Sequence, residues 1–109
     1  MLLSECVVQV KGEWIVPVDN DTAFDDVVVS DLMSDVLVCE KDDFILVTSL
    51  TSEQVVRTAD IVDARGILIT NGKRPQPAMQ QLAERQGLAV ITTRLSTFEA
   101  CLALAGCRE

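Results

Sequence analysis

The chain has 109 residues, of which 49% are apolar and only 4% aromatic. That length and apolar content predict a single folded domain and exclude a disordered chain. The net charge of −8 argues against nucleic acid or an anionic membrane surface as the main partner, since both are bound through a surplus of Lys and Arg. The sequence contains no His, which excludes Ser-His-Asp triads, Cys-His pairs and zinc-histidine sites.

No run of apolar residues is long enough for a membrane helix, and the start of the chain lacks the features of a signal peptide. We therefore expect a cytoplasmic protein with reduced thiols. The four cysteines, which form no Cys-x-x-Cys pair, are Cys6, Cys39, Cys101 and Cys107. We interpret them as buried or incidental; the alternatives are a redox-sensitive thiol, such as the Cys101 and Cys107 pair, or a soft-metal ligand.

The first 26 residues differ in pattern from the rest and predict a short N-terminal hairpin or extension. The β-branched and alternating residues over 7–18 favour two strands that turn at Lys11-Gly12. A polar loop follows at residues 19–22.

From about residue 27, short apolar runs alternate with helix-period segments, which is typical of an α/β domain. The predicted strands cover 27–29, 44–47, 66–69 and 88–91. The predicted helices cover 30–39, 52–62, 77–86 and 96–105, and the last two end at Gly87 and Gly106. Because the strands are continuously apolar, we expect parallel pairing with both faces covered. The sequence therefore predicts a three-layer α/β fold, with a small, mostly parallel sheet between helices.

Three predicted strands end on threonines spaced by 22 residues: Thr48, Thr70 and Thr92. Right-handed crossovers place these strand ends at one edge of the sheet, where open α/β sheets bind ligands. Helix N-termini at that edge favour anions, and Lys73, Arg74 and Arg94 lie nearby in sequence. The candidate ligand-binding residues at this edge are Thr48, Ser49, Thr70, Asn71, Gly72, Thr92 and Thr93.

The same polar residues also have a purely structural interpretation. Thr51-x-x-Gln54 and Ser96-x-x-Glu99 fit capping boxes, which need a hydroxyl at the N-cap. Asn71-Gly72 is a common turn pair. Both interpretations, capping and binding, stay open at the level of the sequence.

Two carboxylates four residues apart, Asp31 and Asp35, are predicted to share one helix face, with Ser34 beside them. We include Asp31, Ser34 and Asp35 among the candidate ligand-binding residues, since paired acids can hold a divalent cation or act as acid and base. The structural alternative is that they complement the dipole at the start of the helix. No phosphate-loop motif occurs, which excludes nucleotide hydrolysis of that class.

Several motifs, in order, resemble the DRTGG domain family over about residues 25–106, and we take 27–106 as the DRTGG-like core. Ser30-Asp-Leu-Met-Ser-Asp-Val36 is similar to the family motif Gly-Asp-Leu-Leu-Ser-Asp-Val, and Ile67-Leu-Ile-Thr-Asn-Gly72 is similar to the family's turn. Members resemble the N-terminal domain of HPr kinase/phosphorylase and occur as regulatory domains in some phosphotransacetylases. The resemblance implies an α/β domain that often self-associates and lacks a kinase active site.

We expect a non-catalytic regulatory or ligand-binding domain, a homodimer, that senses a small anionic metabolite or nucleotide at the carboxyl edge of the sheet. One alternative is an adaptor subunit of a larger partner enzyme, with no small ligand. A less favoured alternative is a small enzyme that uses Asp31 and Asp35 with a divalent metal. No catalytic residue, bound metal or cofactor is assigned, because no nucleophile and base are paired in the sequence.

Overall fold

The computed structural model describes residues 1–107. The helices in this range are α1 (Leu3–Gln9), α2 (Met33–Leu37), α3 (Glu53–Ile61), α4 (Pro77–Gln86) and α5 (Thr97–Cys107). The strands are β1 (Glu13–Val16), β2 (Asp26–Val29), β3 (Phe44–Thr48), β4 (Gly66–Ile69) and β5 (Val90–Thr92). Strands and helices alternate from β2 onward, which confirms the α/β prediction.

Within residues 1–107, five strands form one sheet in the order β1-β5-β4-β3-β2. The strands from β2 to β5 pair in parallel, whereas β1 runs antiparallel to β5, with Glu13 opposite Thr92. The carboxyl ends of the parallel strands therefore lie at one edge of the sheet. Because β1 runs in the opposite direction, its amino end comes to that same edge.

Helices cover both faces of the sheet, as expected for three layers. On one face, α2, α3 and α4 pack through a buried cluster that includes Val36, Val56 and Met79. On the other face, α1 and α5 pack through a second cluster that includes Leu3 and Leu104. The sheet is thus the middle layer, and burial of its two faces supplies most of the core.

Strand β3 shows why the strands of this chain are continuously apolar. Phe44 and Leu46 belong to the cluster under α2, α3 and α4, whereas Ile45 and Val47 belong to the cluster under α1 and α5. All four side chains are fully buried. Since successive side chains of a strand point to opposite faces, a strand covered on both sides requires an apolar residue at every position.

The predicted hairpin over residues 7–18 is wrong, because the first half of that segment lies in or just after a helix. Leu3, Cys6 and Val10 recur at helical spacing and bury one side of α1 and its C-terminal end. The Glu5 carboxylate accepts a hydrogen bond from the Leu2 amide at 2.8 Å and caps the helix. The turn at Lys11-Gly12 is present, but it leads from α1 into β1, which pairs with β5 instead.

Helix boundaries agree with the sequence where the chain marks them locally. α4 runs from Pro77 to Gln86 as predicted and ends at Gly87, whose left-handed φ of 66° closes the helix. α5 instead continues past Gly106 to Cys107. Gly106 lacks the positive φ that ends a helix, so the predicted stop there is wrong. Of the helices in residues 1–107, none has the length and apolar character needed to cross a membrane.

The cysteines of the described chain are free thiols at Cys6, Cys39 and Cys101. Cys6 lies in the core, and this burial raises its pKa to about 12, which confirms the structural interpretation for that residue. Cys101 is half-buried, and burial raises its pKa as well. The side chain of Cys107 lies outside the described residues, so the alternative of a redox-sensitive pair with Cys101 stays untested.

Candidate functional site

The carboxyl edge of the sheet carries the polar residues that the threonine spacing predicts. Thr48 ends β3, Thr70 follows β4 and Thr92 ends β5, and all three are buried. The register of the parallel strands sets Thr48 beside Ile69, and Ile69 beside Thr92, so the three strands end at the same height in the sheet. The predicted collar therefore exists, and its role depends on what its hydroxyl groups contact.

At the β3 end of this edge, the hydroxyls and a backbone amide converge on one carboxylate. Asp31 accepts hydrogen bonds from the Thr48 hydroxyl at 2.8 Å, the Ser49 amide at 2.7 Å and the Ser49 hydroxyl at 2.7 Å. The segment after β2 is thereby tied to the segment after β3. We call this arrangement, made by Asp31, Thr48 and Ser49, the Asp31 anchor.

The anchor keeps Asp31 ionised. The Ser49 amide, followed by the hydroxyls of Ser49 and Thr48 and the charge of Lys73, lowers the pKa of Asp31, although partial desolvation opposes this. Hydrogen bonds donated to a carboxylate favour its charged form. The donors around Asp31 thus give its carboxylate a structural role in joining the two segments.

The predicted pairing of Asp31 with Asp35 on one helix face is wrong. α2 begins only at Met33, because the Ser30 hydroxyl accepts the Leu32 amide hydrogen at 3.0 Å and holds the preceding residues in a turn. Ser34 and Asp35 are exposed and make no side-chain hydrogen bond with the described residues. Across residues 1–107, no group of three or more His, Cys, Asp and Glu side chains is placed to hold a metal ion.

At the centre of the edge, the polar side chains bond to one another. The hydroxyls of Thr70 and Thr97 lie 2.7 Å apart, and the side-chain Nδ2 of Asn71 donates to both, at 3.3 and 3.4 Å. This network ties the end of β4 to the start of α5. Near it, Ser96 and Glu99 form the predicted capping box, with reciprocal bonds of 3.0 and 3.1 Å. The second predicted box, at Thr51, is wrong because Ser52 is the N-cap of α3 and its side chain makes no capping bond.

Three loops meet at the β5 end, where backbone and hydroxyl groups connect them. The Thr93 hydroxyl donates to the Val10 carbonyl at 2.6 Å, which joins the loop after β5 to the turn after α1. The amides of Asn71 and Gly72 donate to the carbonyls of Leu95 and Thr93 at 2.8 and 3.0 Å. The loops at 10–13, 71–74 and 92–95 therefore form one connected surface.

Gly12 lets two of these loops approach closely. A Cβ atom at this position would lie 2.9 Å from the Thr92 carbonyl oxygen, a backbone atom that cannot move aside easily. The turn between α1 and β1 is consequently packed directly against the end of β5. This contact sets the position of Lys11 and Glu13 at the carboxyl edge.

The three loops enclose a cleft of about 400 Å³. Within residues 1–107, four of the chain's nine basic residues line it, and we therefore call it the basic cleft. Its lining residues are Val10, Lys11, Glu13, Gly72, Lys73, Arg74, Thr92, Thr93, Arg94 and Leu95. Four cationic side chains and one carboxylate leave a surplus of three positive charges on a chain with a net charge of −8.

Most of this positive charge is available to a ligand. Arg74 pairs with Glu13 at 3.2 Å, and both side chains are 64% exposed. Lys11, Lys73 and Arg94 form no ion pair among residues 1–107, and all three are exposed. An exposed, locally positive concavity on an acidic protein concentrates anions. The arrangement can therefore hold an anion without any further change in the fold.

The structure brings only part of the predicted set to this cleft. Gly72, Thr92 and Thr93 line it, and Asn71 lies beside it in the same loop. Thr48, Ser49 and Asp31 form the anchor, Thr70 joins the central network, and Ser34 and Asp35 lie on α2.

The sequence indicates Lys73, Arg74 and Arg94 near the edge but not Lys11 and Glu13. The hairpin predicted around these two residues does not form, and only the pairing of β1 with β5 brings them to this edge. The signal that could have found Lys11 is the clustering of cations beside strand ends in an otherwise acidic chain.

The fold and this edge define an α/β domain whose polar residues gather at the carboxyl ends of parallel strands. The chain belongs to the DRTGG domain family, whose model matches residues 7–107. That match confirms the family resemblance of the sequence motifs. A search of curated proteins finds no match to the chain.

Among solved structures, the chain is similar to the regulatory region of a pyrophosphatase from Clostridium perfringens. That region was crystallised as its CBS and DRTGG domains in complex with an activator, diadenosine tetraphosphate. The TM-score is 0.67 at 16% sequence identity, and the match covers 94% of this chain and 45% of that one. The present chain therefore spans less than half the length of this relative, and the similarity shows a common fold.

Proposed function

We propose that this DRTGG domain is a non-catalytic regulatory domain that binds a small anionic metabolite or nucleotide in the basic cleft. The concentration of cations carries the proposal: Lys11, Lys73, Arg74 and Arg94 line one cleft of a chain that has 17 acidic and 9 basic residues. Since exposed cations of like charge repel one another, such a cluster favours an anion that neutralises it. The cleft volume of about 400 Å³ lies within the usual range for small-molecule sites.

The comparison with the pyrophosphatase supports both the regulatory role and the class of ligand. Its CBS and DRTGG regulatory region was crystallised with a nucleotide activator that carries four linked phosphates. A domain with the same fold and a basic cleft is suited to respond to a phosphorylated compound. The present domain then acts by changing the activity of a partner enzyme, or of a further domain, when the ligand is bound.

The proposal gives the predicted edge residues different roles. Lys11, Lys73 and Arg94 supply positive charge that attracts the ligand, and Gly72, Thr92 and Thr93 complete the lining of the cleft. Asn71 holds the loop between them through its bond to Leu95. Asp31, Thr48, Ser49 and Thr70 maintain the fold at this edge, and Ser34 and Asp35 have no part in the site.

A thermal-shift screen of the purified protein against nucleotides, sugar phosphates and small carboxylates tests this proposal. A ligand at a hundred times its dissociation constant adds about 2.7 kcal/mol of stability, or roughly 10–20 °C for a domain of this size. We expect a phosphorylated compound to give such a shift in the wild type, and R94A to reduce it at least by half.

The matched control is R57A, which removes the same charge from α3, outside the cleft, where Arg57 pairs with Glu53 at 3.2 Å. We expect this variant to retain the full ligand-induced shift. No shift across the whole panel, or equal losses in R94A and R57A, would contradict ligand binding in the basic cleft.

A second candidate function is that of an adaptor, and apolar side chains exposed on α5 favour it. Phe98 and Leu102 lie four residues apart on one stripe of the helix and are 72% and 57% exposed. Large apolar residues on one exposed stripe are suited to bury against another protein chain. The partner of an adaptor is a larger enzyme, and the same stripe also suits the homodimer that we propose for the regulatory domain. Light scattering at tens of micromolar should then show a dimer for the wild type and a monomer for F98S; a wild-type monomer would contradict self-association.

We further propose that the domain works in the cytoplasm. Cys39 and Cys101 are free, incompletely buried thiols. Such thiols persist in a reducing compartment. Phosphorylated ligands of the proposed kind are intracellular compounds, so the location and the ligand class agree.

A further inference from the structure

We propose that the basic cleft selects ligands that carry two or more linked phosphates, a diphosphate or triphosphate group, over monophosphates and carboxylates. The inference rests on the proposed function and names the chemical group that the cleft recognises. Its basis is the number, the kind and the pairing of the charges that line the cleft.

The charge surplus of the cleft matches a diphosphate better than a single phosphate. A monophosphate carries about −1.5 to −2 at neutral pH. The cleft holds four cations against one carboxylate, a surplus of three. One phosphate group therefore leaves part of the positive charge without a partner, whereas a second linked phosphate supplies the remaining negative charge and further acceptor oxygens.

The ion pair between Arg74 and Glu13 gives the cleft a means of distinguishing diphosphates from monophosphates. The Arg74 guanidinium already has a carboxylate partner at 3.2 Å, so a ligand recruits Arg74 only if it competes with Glu13. Lys11, Lys73 and Arg94 need no such exchange, because they form no ion pair among the described residues. A monophosphate is bound by these three cations alone and does not recruit Arg74, whereas a second linked phosphate can also displace Glu13 from Arg74 and gain a further charge-assisted contact.

Open space lies beside Gly72, one of the residues that line the cleft. At Gly72, φ is +68° and the space that a Cβ would occupy is open, with no atom within 4 Å. The amides of Asn71, Gly72 and Lys73 already donate to backbone carbonyls. Contact between this loop and a ligand therefore comes from the side chains of Lys73 and Arg74, and the missing side chain at Gly72 leaves room beside them.

The neighbouring loops keep this arrangement rigid. The Gly72 amide is bonded to the Thr93 carbonyl at 3.0 Å, and the Thr93 hydroxyl is bonded to the Val10 carbonyl at 2.6 Å. The loops that carry Lys11, Lys73 and Arg94 are therefore held together before a ligand arrives. Such preorganisation favours binding, because the loop backbones need not be ordered when a ligand associates.

Isothermal titration calorimetry in magnesium-free buffer tests the inference with inorganic pyrophosphate, tripolyphosphate, orthophosphate and citrate. We expect pyrophosphate and tripolyphosphate to bind about tenfold more tightly than orthophosphate and citrate, which corresponds to one additional charge-assisted contact. Citrate separates phosphate recognition from charge alone, because it carries three carboxylates.

Two variants at the ion pair distinguish selection from general attraction. E13Q frees Arg74 and should tighten pyrophosphate binding several-fold and orthophosphate binding by a smaller factor, since both anions gain from the added charge. R74A leaves the Glu13 carboxylate in the cleft without its partner, so it should weaken both anions, and pyrophosphate more strongly than orthophosphate. Both residues are exposed, so neither variant threatens the fold. R57A, outside the cleft, is the control and should leave all four affinities unaltered.

The outcomes separate this inference from the proposed function. If all four anions bind with similar affinity and R94A weakens each of them, the cleft is an anion site without phosphate selectivity and only the inference fails. If R94A and the wild type are alike, or no anion binds, the basic cleft is not the ligand site and the proposed function fails as well. If the protein prefers pyrophosphate but E13Q does not increase that preference, the role assigned to Glu13 is overturned.

Discussion

The two ends of the sheet's carboxyl edge contain charged and hydroxyl side chains, but they use them in different ways. At the β3 end, Asp31 accepts three hydrogen bonds from Thr48 and Ser49. At the β5 end, the cations of the basic cleft face solvent, and Thr93 is the residue that holds the loops together. The comparison shows that hydroxyls at strand ends can serve the fold itself, since those of Thr48 and Thr70 bond to other groups of the chain. Lys11, Lys73 and Arg94 form no ion pair among the described residues, and it is there that we propose a ligand binds.

The largest expected effect on stability comes from removing the Asp31 anchor. D31A leaves the buried Thr48 hydroxyl and the Ser49 amide without their acceptor, and hydrogen bonds to a charged group contribute about 1.5–3 kcal/mol. We expect a loss of about 2–3 kcal/mol, or roughly 10–20 °C in the thermal midpoint. Pyrophosphate affinity should change by less than about threefold, since no anchor residue lines the cleft.

The control for this variant is D35A, which removes an exposed carboxylate that forms no hydrogen bond with the described residues. Its stability should stay within about 0.5 kcal/mol of the wild type. Equal destabilisation by D31A and D35A would contradict the anchor, and a large loss of pyrophosphate affinity in D31A would remove the distinction between the two ends.

A smaller loss of stability, accompanied by weaker binding, is expected at the β5 end. T93V removes the hydroxyl that donates to the Val10 carbonyl at 2.6 Å and accepts from the Leu95 amide at 3.1 Å. We expect the free energy of unfolding, measured with urea, to fall by about 2 kcal/mol, because the Val10 carbonyl and the Leu95 amide lose their hydrogen-bond partner. The loops around the cleft should also loosen and weaken pyrophosphate binding.

T92V serves as the matched variant, because Thr92 is the adjacent buried threonine and its hydroxyl makes no hydrogen bond with the described residues. This substitution should change stability by less than about 0.5 kcal/mol. If T93V were as mild as T92V, the loops would not depend on the Thr93 hydroxyl.

The smallest expected effect is a pH dependence of folding stability, which comes from the Asp31 anchor. The folded state lowers the pKa of Asp31, so the unfolded chain binds more protons in acid and the anchor loses stabilising energy as the pH falls. The contribution is complete above the ordinary carboxyl pKa near 4 and declines through the lowered value in the folded state. The stability difference between wild type and D31N should therefore be constant from pH 7 to about pH 5 and narrow below pH 4. A difference that widens toward acid would contradict the account.

The sequence predicts the central layer of this fold well, because its signals are local and strong. β4 is found at the predicted 66–69, and α4 begins at Pro77 and ends before Gly87 as predicted. Continuous apolar runs identified strands that are buried on both faces. The evenly spaced threonines identified the edge of the sheet at which the polar residues gather.

What the sequence could not predict depends on contacts between distant segments. The β-branched residues near position 8 favoured a strand, whereas the burial of Leu3, Cys6 and Val10 against α5 and the sheet stabilises a helix. Only the pairing of β1 with β5 brings Lys11 and Glu13 to the cleft. Similarly, the turn at Ser30 separates Asp31 from α2, and no local spacing indicates that Asp31 binds the end of β3.

The most direct test of the account is to map where an anion binds by amide NMR of the ¹⁵N-labelled protein during titration with pyrophosphate. The account predicts the largest shifts in the loops at 10–13, 72–74 and 92–95, which line the basic cleft, and small shifts at Asp31 and Ser49. Shifts concentrated at residues 30–35 and 48–49, or no shifts at millimolar pyrophosphate, would contradict the assignment of the ligand site to the β5 end of the sheet.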